Sequence, residues 1–435
     1  MGIDRRDVLK GMVLGAGSLL VPYSSQGLEK SSLVPKTKSV IQIWMWGGPC
    51  HIDTFDPKPE AGKDYIGPYD SPIDTNVSGI QIGQMLPLLA QQADKYSIIR
   101  SMTHGINGHE TASYIVQTGF PPGGRLSHPT TGAVIAHNSF KKGYDSLISP
   151  YVVLTSPQGR FSESGFLDLK YKPFATGGDP SKTPFEVEGI VAKGISRERQ
   201  ESRRELLYNL DTLGKELKDF DEIKEFDEYT KNAYGLILGD AGNVFDASTE
   251  LQSLREEYGM NKFGQSCLIA RKLVESGVPY VTINYKGWDT HKDHFGVMRR
   301  KLPEFDSGLS TLLKDLSEKG LLENTIVWVG GEFGRGPKVQ WESPWNGGRN
   351  HFGAAFSHLI AGGGFKGGKV VGATDSKGMK VVDRPVYPVD LLKSIYIQMG
   401  IDPEQHLITS NGTRARICPT KEDGVKSAGY LEELV

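Results

Sequence analysis

Between Val278 and His351 the chain twice runs a short apolar segment, preceded by a helix-like stretch, into a glycine-rich turn loaded with carboxylate and imidazole side chains. The first segment, Val278-Pro279-Tyr280-Val281-Thr282-Ile283-Asn284-Tyr285, opens into Gly287-Trp288-Asp289-Thr290-His291-Lys292-Asp293-His294. The second, Thr325-Ile326-Val327-Trp328-Val329, opens into Gly330-Gly331-Glu332-Phe333-Gly334-Arg335, and Gly347-Gly348-Arg349-Asn350-His351 follows shortly after. Short β-branched and aromatic runs behind helical patterns predict buried parallel strands of an α/β sheet. In such sheets ligands bind beyond the carboxyl ends of the strands, where these turns fall.

The same arrangement is predicted further upstream. Residues 39–46 form a strand candidate whose turn carries His51, Asp53 and Asp56, and residues 96–100 lead into a loop with His104, His109 and Thr111. Helices are predicted over 263–275 and 302–318, stopped by Gly277 and Gly320, and also over 85–92, 114–117 and 389–399. Residues 151–155 and 356–361 complete the strand candidates. Residues 156–183 are rich in Pro, Gly and Ser and read as a long surface loop, whereas about 196–260 is highly charged and helical in pattern, a helical insertion. The expectation is one α/β domain over 37–435, a central mostly parallel sheet flanked by helices, and 435 residues are enough to bury such a core.

With 50 basic and 52 acidic residues the net charge is -2, which gives no reason to expect nucleic acid or an anionic membrane as partner. No apolar run is long enough to span a bilayer. At the start, Asp4-Arg5-Arg6-Asp7-Val8-Leu9-Lys10 leads into a mildly apolar run over 11–21. This resembles a twin-arginine export signal over residues 1–36, which implies a periplasmic or secreted protein. Three cysteines, Cys50, Cys267 and Cys418, allow at most one bridge, so a disulfide framework is not what holds the fold.

Mixed carboxylate and imidazole ligands suit Zn²⁺ or Mn²⁺ first and Ca²⁺ second. A metal pair would let one ion bind an ester oxygen while the other activates a nucleophile or the leaving oxygen. Arg335 and Arg349 would then hold a phosphate or sulfate group by bidentate hydrogen bonds. His128, His137, His358 and His406 have no ligand-type companions and are taken as structural.

Gly-Gly-Pro-Cys-His-Ile-Asp-Thr-Phe-Asp-Pro-Lys-Pro (47–59), the Gly-Gln-Ser-Cys-Leu-Ile-Ala-Arg-Lys-Leu-Val-Glu-Ser-Gly-Val run (264–278), Gly-Trp-Asp-Thr-His (287–291), Gly-Glu-Phe-Gly-Arg (331–335) and Gly-Arg-Asn-His (348–351) stand in order along the chain. With the twin-arginine signal they resemble an exported domain-of-unknown-function family, itself similar to the alkaline phosphatase and sulfatase superfamily. The resemblance implies an alkaline phosphatase-like fold and a metal-dependent hydrolase of phosphate or sulfate esters, acting on a small-molecule or carbohydrate ester. The metal ligands it implies are Asp53 with His51 nearby, Asp289 with His291 or His294, Glu332 and His351. Phe333 stands where that superfamily has a histidine, which puts a second metal in question. Its nucleophile, a Cys, Ser or Thr, starts a helix that ends in Thr-Gly; counting back from Thr118-Gly119 puts His109 there, as nucleophile or ligand, with Thr111 two residues inside. The alternative is a non-catalytic binding protein for anionic carbohydrate or another anionic ligand on the same fold.

Overall fold

The structure is a computed structural model that describes residues 35–156, 163–182, 185, 187, 202, 240–409 and 411–435. The expected signal at 1–36 (all but 35 and 36), part of the 156–183 loop and most of the 196–260 insertion lie outside the described residues. No helix among the described residues is long and apolar enough to cross a membrane. Cys50, Cys267 and Cys418 are free and buried.

One sheet organises the chain. Its strands are β1 (Ser39–Trp44), β2 (Tyr96–Met102), β3 (Tyr151–Leu154), β4 (Phe174–Ala175), β5 (Tyr280–Asn284), β6 (Thr325–Gly330), β7 (Phe356–Ala361) and β8 (Lys369–Val371). They lie in the order β8-β2-β7-β6-β1-β5-β3-β4. Central β1 pairs in parallel with β5 on one side and β6 on the other, placing Ile43 opposite Ile283 and Val329. Only β7 runs against its neighbours β2 and β6. The mostly parallel sheet expected from the sequence is therefore present, with one reversed strand.

The pleat sends alternate side chains to opposite faces, so strands that are apolar throughout feed two cores. Ile41, Ile43, Val281, Ile283, Val327 and Val329 belong to one cluster. Val40, Trp44, Tyr280, Ile326 and Trp328 belong to the other. Helices α3 (Lys262–Glu275) and α4 (His294–Glu318) cover the first face through residues such as Leu268, Leu302 and Phe305. The second face is covered by α1 (His109–Thr118), α2 (Thr131–Lys141) and α5 (Pro388–Gln398) through Val116, Val134 and Ile395.

Two helix starts differ from the sequence expectation, and both matter for the site. α1 begins at His109 rather than residue 114 and closes on Gly119, whose φ of 80° is the left-handed C-cap geometry. α4 begins at His294 rather than residue 302, because Pro303 does not break it. Asp293 caps it by accepting the Gly296 N–H at 3.2 Å, and buried Phe295, Met298, Leu302 and Phe305 hold the turns around the proline against the core. The helix expected over 85–92 is a single turn, Pro87–Ala90.

Candidate metal centre

The turns after β1, β5 and β6 meet at the carboxyl edge of the sheet, and two glycines let them close. A Cβ on Gly47 (φ 103°) would lie 2.2 Å from the Asp289 nitrogen, and one on Gly48 (φ 75°) would lie 2.1 Å from the Phe333 carbonyl oxygen. The start of α1 and a two-stranded ribbon, Gly334–Arg335 with His351–Phe352, complete the edge.

His109, Asp289 and His351 offer ligand atoms that all lie within 4.8 Å of one another. His109 Nε2 is 3.4 Å from Asp289 Oδ2, while its Nδ1 donates to Glu332 Oε1 at 2.6 Å. His351 Nδ1 donates to the Asn107 carbonyl at 2.7 Å, which turns its Nε2 toward Asp289 Oδ1 at 3.1 Å. His291 Nε2 lies 3.1 Å from the same oxygen and 2.9 Å from His351 Nε2. Metal-ligating histidines characteristically donate the distal N–H to a carboxylate or carbonyl and present the other nitrogen. Lone-pair atoms this close need a proton or cation between them. Ligands ~2.0–2.1 Å from a tetrahedral zinc stand roughly 3.3–3.4 Å apart, so a small divalent ion fits the donor set.

The surrounding charges are arranged to keep Asp289 ionised. Partial burial pushes its carboxyl up, but hydrogen bonds from His109 and His351 and the Arg335 guanidinium outweigh this and hold it well below the usual range. Hydrogen bonds to Asp289 and Glu332 raise His109 to about 9. Burial, followed by the Arg335 charge, lowers His291. Arg335 is wholly buried; it pairs with Asp289, donates Nε–H to the Gly47 carbonyl at 2.7 Å and Nη1–H to the Arg349 carbonyl at 3.2 Å.

The structure separates the remaining sequence candidates from this group. Asp53 accepts His294 Nε2–H at 2.7 Å and Arg349 Nη2–H at 3.0 Å, and the Thr290 hydroxyl lies 2.6 Å from His294 Nδ1, all in the interior. Both nitrogens of His294 are thereby engaged. Arg349 also donates to the carbonyls of Gly336, Pro337 and Tyr65, leaving no fork to clamp an anion, and Arg335 is committed in the same way. His51 is buried with Nε2 2.9 Å from the Gly378 carbonyl. The reason is local: a single 3-10 turn, His51–Asp53, follows Gly47-Gly48 and turns these side chains into the protein. Glu332, expected as a ligand, stands behind His109 and also accepts the Gly47 N–H at 3.0 and 3.2 Å. Thr111 is half-buried in the first turn of α1, with no side-chain hydrogen bond among the described residues.

Two further contributors are not ligand types: Asn107, which the sequence does not mark, and Phe333, which it marks only as a departure from the resembled pattern. Asn107 acts through its backbone carbonyl, and the Phe333 ring packs 5.0 Å from the His109 ring and 4.6 Å from that of His351. His358, read as structural, lies 3.1 Å from Trp328 Nε1 and 3.0 Å from the Gly331 carbonyl.

A family described as protein of unknown function (DUF1501) matches residues 37–426, taking in every residue of this site. The chain belongs to that family. No curated protein matches it. Among solved structures, similarity extends to a lipoteichoic acid synthase from Listeria monocytogenes, with 8% identity, 89% of this chain and 76% of that chain covered, and a TM-score of 0.38. A sulfatase from a Pseudoalteromonas species is 14% identical over 92% of this chain and 72% of its own, with a TM-score of 0.35. A protein in the alkaline phosphatase superfamily from Vibrio parahaemolyticus is 11% identical over 85% of this chain and 68% of its own, at 0.38. These similarities are distant, and the DUF1501 match is what places the chain in a family.

Proposed function

We propose that this DUF1501 protein is an exported metal-dependent hydrolase of phosphate or sulfate esters with an alkaline phosphatase-like fold, in which His109, Asp289 and His351, with His291 beside them, hold one divalent ion, Zn²⁺ or Mn²⁺. The observation that carries this reading is the orientation of the imidazoles. Two of them give Nδ1–H to Glu332 and Asn107 and direct Nε2 at Asp289. A divalent ion there supplies Lewis-acid polarisation of an ester oxygen and activation of water.

The chain's own groups supply the rest. Glu332 and Asn107 fix the imidazole planes, and Arg335 holds Asp289 in its ionised form. The start of α1, at N-cap Gly108, has no side-chain cap hydrogen bond, and a helix start of this kind favours an anionic phosphate or sulfate. Thr111 offers a hydroxyl in that same turn. The single domain over 37–435 and export through the signal at 1–36 are part of this reading; Arg5 and Arg6 support the export.

A second reading, a non-catalytic binding protein for an anionic ligand, is favoured by His109 standing at the helix start where the resemblance calls for a hydroxyl or thiol. Elemental mass spectrometry on the exported protein, with His351→Ala and Asp289→Ala, tests both readings. About one equivalent of transition metal, lost in both variants and accompanied by release of phosphate or sulfate from ester panels, is the expected result. Metal without turnover would leave the binding reading, and a metal-free natural protein would remove the hydrolase.

A further inference from the structure

Residues 340–348 form a loop closed at its neck. The Gln340 N–H donates to the Gly348 carbonyl at 2.9 Å and the Gly347 N–H to the Gln340 carbonyl at 2.8 Å. The loop sits against the candidate centre: a Cβ on Gly348 would lie 1.8 Å from the His291 carbonyl oxygen, and the Asp293 N–H donates to the Trp345 carbonyl at 3.1 Å.

This loop carries two tryptophans. The half-buried Trp345 ring is 6.4 Å from that of His291, within a sugar ring's breadth of the candidate ligands. Trp341 is 47% exposed. It stacks on Phe295 at 5.6 Å and 19°, and Phe295 in turn lies 5.3 Å from the Arg349 guanidinium, which the interior holds fast. Neither indole N–H has a hydrogen-bond partner among the described residues.

The two indoles therefore present separate faces on one short loop, Trp345 toward His291 and Trp341 half in water on Phe295. A protein partner would need a contiguous apolar patch, but the exposed neighbours of Trp341 and Trp345 along the loop are Glu342, Ser343, Pro344 and Asn346, three of them polar. A lipid surface would call for a cluster of cations, and this loop has an acid instead. Separate flat apolar faces, each with a free N–H donor at its edge and polar groups between, match a chain of pyranose rings. Such rings present C–H faces to stack and hydroxyls to hydrogen-bond.

We propose that the 340–348 loop is a saccharide platform, so that the ester addressed at the His109–Asp289–His351 group is carried on a glycan; the ester half of this statement rests on the hydrolase reading above. Trp345 packs the sugar that bears the ester, and Trp341 packs a further sugar of the same chain. Because the platform is closed at its neck and braced on Phe295, little ordering entropy is lost on binding.

The test is binding of the full-length protein, metal-loaded and chelator-treated, to an array of sulfated, phosphorylated and neutral oligosaccharides, followed by dissociation constants for the hits. Trp345→Ala and Trp341→Ala are expected to weaken binding at least tenfold while metal content is retained, and Trp345→Tyr is expected to recover part of it. An array without hits, or alanine variants that bind like the natural protein, overturns the platform. Metal-dependent turnover of simple phosphate or sulfate esters without any glycan binding removes the platform and keeps the hydrolase. Glycan binding lost in the alanine variants of a protein that takes up no metal keeps the platform and removes the hydrolase.

Discussion

At the scale of single residues, the candidate centre depends on side chains held from behind. His109 and His351 face Asp289 because Glu332 and the Asn107 carbonyl take their other nitrogens, and Asp289 is placed by a backbone that Gly47 allows to approach. Gly47→Ala combines a left-handed φ of 103° with a Cβ only 2.2 Å from the Asp289 nitrogen, so the two turns must separate. The expected outcome is about 2 kcal/mol or more of lost stability in chemical denaturation and metal affinity weakened by tenfold or more in titration of the folded protein. Wild-type affinity in this variant would show that Asp289 is not positioned through Gly47. His51, Asp53, His294 and Arg349 illustrate the limit of residue-level reading. Their types and spacing suit ligands, yet hydrogen bonds to Gly378, to one another and to the Tyr65, Gly336 and Pro337 carbonyls engage them in the interior.

At the scale of elements, the helices are fixed by partners distant in sequence. The single turn Pro87–Ala90 has no cap of its own; Asp306 on α4 accepts the Leu88 and Leu89 N–H groups at 2.9 and 2.7 Å. Removing that acceptor in Asp306→Ala is expected to cost about 1–3 kcal/mol, read from urea unfolding. Burial, only partly offset by those two N–H groups, raises the Asp306 carboxyl from 3.8 to about 6. The folded state therefore holds its proton more tightly than the unfolded chain does. This stabilisation is fully present below about pH 4 and is lost as pH rises through about 6. Unfolding free energy measured between pH 4 and 7 should accordingly fall less steeply in Asp306→Ala than in the natural protein; parallel profiles would contradict the assignment. The same helix also starts earlier than local sequence rules predict. Pro303 is a stop by local rules, and only the packing of Phe295, Met298, Leu302 and Phe305 against the sheet overrides it.

At the scale of the whole molecule, β1, β5 and β6 carry their turns to one edge, and candidate ligands from α1, the β5 turn and the 351 ribbon come together there. A site assembled only in the folded chain must stabilise that chain when filled. Zn²⁺ or Mn²⁺ at a hundred times its dissociation constant is expected to add about 2.7 kcal/mol, seen as a rise in Tm that His351→Ala abolishes; an unchanged Tm in the natural protein would argue against the centre. The sequence by itself determined six of the eight strands of the sheet and missed the short edge pieces Phe174–Ala175 and Lys369–Val371, since short β-branched runs behind helical patterns have few stable solutions other than a mostly parallel sheet with its turns at the carboxyl edge. It also determined the pool of candidate ligands, because residue type fixes which atoms are able to bind a metal. Only the tertiary structure decided which of them meet. Asp289, His291, His351 and His109 converge, whereas Asp53 and His294 pair with Arg349 and Thr290 inside, because proximity depends on how turns hundreds of residues apart pack and on where buried polar groups find partners.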